Sequence, residues 1–186
     1  RRRMEFYGDS AAAGELVEAA DHRGVDIRGH RGDFSNVYYS YAWVTARNLK
    51  ARVNIIAQSG IALLDKAGYF GAPDPIGMES VYDKLHFNPS LGEVTAWNFA
   101  EYIPQVVVID IGQYDAYPVD YMKENCKGRS ARLWEDHYTQ FVLNIRSRYP
   151  DAFIVLTTTI MRHHPSWDRA IGLICRRIAD QKIVHF

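Results

Sequence analysis

Three short segments put chemically capable residues directly after apolar runs. Gly8-Asp9-Ser10 follows residues 4–7, Gln58-Ser59-Gly60 follows residues 52–57, and Gly112-Gln113-Tyr114-Asp115 follows residues 105–111. A serine hydroxyl attacks an acyl carbon when a base takes its proton. Backbone N–H groups at the turns beside it can hold the oxyanion that forms. A fourth segment, Met161-Arg162-His163-His164, follows the apolar residues 153–159 and adds two imidazoles. A single Gly-Asp-Ser is an ordinary turn, so its meaning depends on the elements that place it beside the others.

Those elements read as strands over 4–7, 52–57, 105–111, 153–159 and 183–186, and as helices over 36–49, 129–149 and 166–181. The run Gln105-Val-Val-Val-Ile-Asp-Ile111 is nearly continuous in apolar residues, as in a strand covered on both faces. Val37, Tyr41, Val44 and Leu49 fall near one face of the first helix. Pro150 stops the second, and Ser166 is positioned to cap the third. Residues 68–92 are rich in Gly and Pro and read as a long loop, which in a compact domain usually serves function. Strands separated by helices predict right-handed crossovers and an α/β fold: a three-layer α/β/α sandwich with a parallel sheet of about five strands. Ligands of such sheets gather outside the carboxyl ends of the strands. All four segments therefore belong on one rim.

Composition narrows the function classes. The chain has 186 residues, enough for one domain with a substantial core, with 47% hydrophobic and 24% charged residues. Its formal net charge of zero provides no field for nucleic acid or an anionic membrane, and no apolar stretch approaches a membrane span. The opening Arg1-Arg2-Arg3 reads as a solvated patch, and the Glu5 and Asp9 that follow are unlike a signal peptide. Secreted and cytoplasmic settings both stay open. Cys126 and Cys175 fit no zinc spacing and read as free thiols, with a disulfide as the alternative.

Taken together, Phe6-Tyr-Gly-Asp-Ser10, Ala57-Gln-Ser-Gly60 and Val106-Val-Val-Ile-Asp-Ile-Gly-Gln-Tyr-Asp115 resemble the first three sequence blocks of the SGNH (GDSL) hydrolases. Asn36-Val-Tyr-Tyr39, Trp97 beyond the long loop and Tyr117-Pro-Val-Asp-Tyr-Met122 bring the chain nearest to the acetyl esterases of carbohydrate esterase family 2. The resemblance runs from about Met4 to the last residue. It implies Ser10 as nucleophile, and an oxyanion hole from the N–H groups of Ser10 and Gly60 plus an Asn side chain. Here Tyr114 stands where that Asn is expected, with Gln113 beside it. Asp9 and Asp115 are implied as braces of the nucleophile turn. The family's catalytic His follows the last strand. The chain stops at Val184-His185-Phe186, inside that strand, so the base is expected beyond Phe186 and an upstream β-sandwich domain before Arg1.

Trp97 and Trp167 are candidate substrate contacts, with His163 and His164, which also stand as an alternative base or as plain loop residues, whereas Trp43 and Trp134 are expected in the core. His185 is expected to pack at its strand, and His22 and His30 to face solvent. The Arg31-Gly32-Asp33 tripeptide is a chance occurrence. The resulting reading is a serine esterase that removes O-acetyl groups from plant polysaccharides, with no metal or organic cofactor and an acetylated polysaccharide or oligosaccharide as partner. The altered third block keeps a second reading: a catalytically weak or inactive carbohydrate-binding module on the same fold. A third is a lipase-like acyl esterase.

Overall fold

The computed structural model describes residues 2–25, 27, 29–87, 91–158 and 163–186. Five strands form one parallel sheet: β1 (Arg3–Gly8), β2 (Arg52–Ala57), β3 (Val106–Asp110), β4 (Phe153–Thr157) and β5 (Ile183–His185), in the order β2-β1-β3-β4-β5. Gly8 aligns with Ala57 and with Asp110, and Asp110 with Thr157. The strand ends are thus level, and the segments that follow them share one rim. This is the α/β architecture the alternating elements predict.

Among the described residues six α-helices connect the strands: α1 (Ser10–Ala13), α2 (Tyr41–Asn48), α3 (Met78–Val81), α4 (Tyr121–Asn125), α5 (Arg129–Arg148) and α6 (Ser166–Ile178). Alternation along β1 divides the core. Met4 and Phe6 meet Ala42 and Ala46 of α2 on one face. Tyr7 turns to the other face, where Phe141 and Ile145 of α5 and Ile171 and Ile174 of α6 pack against Val107, Ile109, Ile154 and Leu156. Burying a Leu, Ile or Phe side chain contributes about 1.5–3 kcal/mol, so the α5–α6 layer carries most of the apolar driving force.

Several boundaries depart from the sequence reading. The helix expected over 36–49 breaks at Ser40, which is extended (ψ 154°) and caps α2 by accepting from the Trp43 N–H at 3.3 Å. A serine favours a cap over a helix interior, and a 3-10 turn, Val37–Tyr39, precedes it. Trp43 is half-buried beside Tyr38, ring centroids 5.8 Å apart, so it is not a core residue. In α6 the cap position belongs to Pro165, and the Ser166 hydroxyl accepts from Arg169. The helix ends at Ile178, because Ala179 turns left-handed and Asp180 ties Lys182 and Arg146. The loop expected over 68–92 contains α3, which contributes Met78 and Val81 to the core.

Candidate active site

Gly8 ends β1 where the chain must pass close beneath α1: a Cβ there would lie 2.6 Å from the Ala12 Cβ. Asp9 then caps α1, its Oδ1 accepting from the Ala11 N–H at 2.9 Å. Ser10 is therefore the first helical residue, where a backbone N–H lacks an intrahelical partner. The residue is 5% exposed, and its Oγ lies 3.0 Å from the Tyr114 Oη.

Gly60 sits in a left-handed conformation (φ 78°), and a Cβ on it would approach the Tyr69 Cβ to 3.1 Å. Its carbonyl accepts from the N–H groups of Tyr69 and Phe70, which fixes the peptide plane. Asp115 holds the continuation of this segment. Its Oδ2 accepts from the Leu63 N–H at 2.7 Å and its Oδ1 from the Leu64 N–H at 3.0 Å. Asp115 was expected to brace the nucleophile turn. It braces instead the loop carrying Gly60, because its 3-10 turn, Gln113–Ala116, directs the carboxylate at that backbone. Asp115→Ala leaves two backbone donors unpaired, one of them on fully buried Leu63, at about 1–3 kcal/mol each. Thermal unfolding should show that loss as a lowered midpoint.

Of the two residues proposed to replace the Asn, the structure brings Tyr114 to Ser10. The Gln113 Nε2 is buried, without a hydrogen-bond partner among the described residues, and Gln113 borders a small cavity with Gly112, Trp134, His163 and Trp167. Burial raises the Tyr114 phenol above its ordinary pKa, so it stays protonated at neutral pH and can donate. Its ring meets Tyr69 edge-on at 5.7 Å, and Tyr69 stacks on Tyr117 at 4.0 Å. Tyr69 and Tyr117 are half exposed and form an aromatic ledge beside Tyr114, of which the sequence reading did not single out Tyr69.

Beneath the nucleophile lie two buried carboxylates. Burial pushes Asp9 up to about 7, and the nearby Asp110 adds to the rise; burial pushes Asp110 up to about 6, with Tyr41 and His163 opposing it. The sequence reading missed Asp110, which ends β3 as an isolated acid in an apolar run. Both pKa values exceed the unfolded value, so the folded state holds extra protons between about pH 4 and 7. Stability from these groups is complete below about pH 4 and is lost as pH rises through about 6 to 7. The slope is about 1.4 kcal/mol per pH unit for each group within its window. Asp9→Asn keeps the acceptor for Ala11 and removes the titration. A shallower fall of the thermal midpoint between pH 4 and 7 is the expected result, and an unchanged slope would contradict it.

The remaining residues distribute as follows. Trp167 is 1% exposed, donates its indole N–H to Asp120 Oδ1 at 3.0 Å and packs edge-on against Trp134; it is a core residue, not a substrate contact. Trp134 is buried as expected. His163 stands near Asp110, and His164 Nδ1 accepts from the Ser166 N–H at 3.4 Å at the entry to α6. Met161 and Arg162 lie outside the described residues. His185 bonds Asp168 at 2.9 Å and ties β5 to α6. His30 does not simply face solvent: it pairs with Glu15 at 3.4 Å, while His22 is exposed beside Phe34. Trp97 lies in the wall of a cleft along β2. Among the described residues both cysteines are free, and no helix is long and apolar enough to cross a membrane.

No protein-family model matches the chain. It is 34% identical over 153 residues to cellulase/esterase CelE of Acetivibrio thermocellus, covering 82% of this chain and 16% of that protein. It is 25% identical over 157 residues to an acetylxylan esterase / glucomannan deacetylase of Cellvibrio japonicus, covering 84% of this chain and 39% of that one. Among solved structures it is similar to a family two carbohydrate esterase from Clostridium thermocellum in complex with cellohexaose, with a TM-score of 0.73 and 31% identity. That match covers 100% of this chain and 53% of the other, so the chain spans about half the length of the solved relative and less of the curated ones.

Proposed function

We propose, for a chain that resembles the family two carbohydrate esterases in sequence and fold, a serine esterase that removes O-acetyl groups from a plant polysaccharide. The observation that carries this reading is the convergence at Ser10: its hydroxyl heads α1, Gly60 lies on the same rim, and the Tyr114 hydroxyl stands 3.0 Å from Ser10 Oγ. Ser10 Oγ attacks the acetyl carbonyl as its proton passes to a base. The resemblance implies that base to be a histidine in polypeptide beyond β5. The N–H groups of Ser10 and Gly60 and the Tyr114 hydroxyl receive the oxyanion. The sugar hydroxyl leaves with a proton, an acetyl ester remains on Ser10, and water releases it as acetate. Asp9 and Asp115 act structurally, on the Ser10 turn and the Gly60 loop respectively.

Acetate release from acetylated xylan and acetylated glucomannan by the full-length protein tests this function. The account expects release from at least one of them. A second reading rests on the Tyr114–Ser10 contact, which can also hold the nucleophile out of use and leave a saccharide-binding module. Saccharide binding without acetate release, from a full-length protein that carries the base, would favour that module.

A further inference from the structure

Along the open edge of the sheet runs a cleft of about 750 Å³, floored by Asn54, Ile56 and Gln58. It begins beside the catalytic rim, since Phe70 lines it and donates its N–H to the Gly60 carbonyl at 3.2 Å. Ser10 and Tyr114 are not among its lining residues. We propose that this cleft is a saccharide subsite, taking pyranose units of the polysaccharide next to the one whose ester reacts.

One of its lining side chains, Asn54, is held by a buried carboxylate that the esterase chemistry leaves unused. Glu5, at the centre of β1, is fully buried. Its Oε1 accepts from Tyr7 at 2.7 Å, and its Oε2 accepts from Asn54 Nδ2 at 2.8 Å and from Tyr149 at 3.2 Å. The Asn54 amide presents its nitrogen to Glu5, which leaves its oxygen to accept from a ligand in the cleft. Tyr149 in turn stands near Trp97, which lies in the cleft wall. Glu5 thus orients an amide that lines the cavity, and preorganised walls of this kind reduce the ordering cost of binding.

The chemistry of the lining selects the ligand. Trp97, Tyr82 and Phe70 offer aromatic surface, while Asn54, Gln58 and His86 offer hydrogen-bonding groups. The His86 Nδ1 is buried and lacks a hydrogen-bond partner among the described residues, and such a group costs stability until a ligand pairs it. A pyranose has an apolar C–H face and a hydroxyl edge, which matches this mixture. Among the described residues neither Asp nor Glu lines the cleft, so a cationic ligand finds no counter-charge from them.

The identity of the polysaccharide rests on the esterase reading; the binding itself does not. Xylohexaose and mannohexaose are titrated calorimetrically into the full-length protein, and amide hydrogen exchange is followed over residues 52–58 and 82–97. At least one oligosaccharide should bind and slow exchange in both segments. Trp97→Ala should weaken its Kd by about tenfold or more, as truncation of an aromatic anchor does. His86→Ala, on a surface loop, provides a variant independent of the Trp97–Tyr149 contact and should weaken it several-fold. Absence of binding by both sugars, Kd values unchanged in both variants, or protection confined to residues 8–15 and 112–117 would overturn the proposal. Failure of the esterase reading would show separately, as acetate release that survives Ser10→Ala.

Discussion

Ser10→Ala should lower kcat for 4-nitrophenyl acetate by about 10⁴-fold or more in the full-length protein, because it removes the atom that carries the acyl group. The substitution is small and the fold should tolerate it. The Asp9 cap on Ala11 and the α1 backbone do not involve the hydroxyl, whose hydrogen-bond partner among the described residues is Tyr114. Unfolding midpoints for Ser10→Ala and the parent should therefore agree closely. Loss of hydrolysis at unchanged stability assigns the loss to chemistry. Hydrolysis that survives the substitution would remove Ser10 from the reaction.

Tyr114→Phe has the second largest expected effect. The phenol donates where a side-chain amide is expected, and loss of one oxyanion donor typically costs about 2.7–4 kcal/mol, or about 10²–10³-fold in kcat. The edge-on contact with Tyr69 survives in phenylalanine, so the aromatic ledge and KM should change little. Tyr114→Asn, which restores the amide, should recover part of the rate. If Tyr114→Phe instead raises kcat, the phenol restrains Ser10 in the resting state and the binding-module reading gains. Steady-state kinetics on one ester substrate distinguish the two outcomes.

Much of this site is legible before any coordinates, and the reason is geometric. A parallel sheet brings its strand ends level, so residues just past each apolar run must meet. Ser10, Gly60 and Tyr114 follow from that rule, and Ser10 and Tyr114 are indeed in contact. Side-chain direction over long separations is not legible in this way. Trp167 follows β4 and reads as a rim aromatic, yet its indole N–H finds Asp120, 47 residues earlier, and the ring is drawn into the core. Asp115 sits beside the third block and reads as a brace for Ser10, but the hydrogen bonds it makes are to Leu63 and Leu64.

Glu5 illustrates the same limit more sharply. Its acceptors are satisfied by Tyr7, two residues along the same strand, by Asn54 of β2 and by Tyr149 just past α5. No local pattern joins Asn54 and Tyr149 to Glu5. The break at Ser40 is different, because a serine ahead of an apolar helical run is a recognisable cap. There the spacing of Val37 and Tyr41 concealed a local signal that was present.

The central claim is that an acyl group passes through Ser10. It is tested most directly by mixing the full-length protein with 4-nitrophenyl acetate, quenching in acid and locating the acetyl group by peptide mass spectrometry. The account predicts acetylation of the peptide containing Ser10 within the first turnover, and none there in Ser10→Ala. An acetyl group carried by a different residue, or turnover in Ser10→Ala at the parent rate, would contradict it.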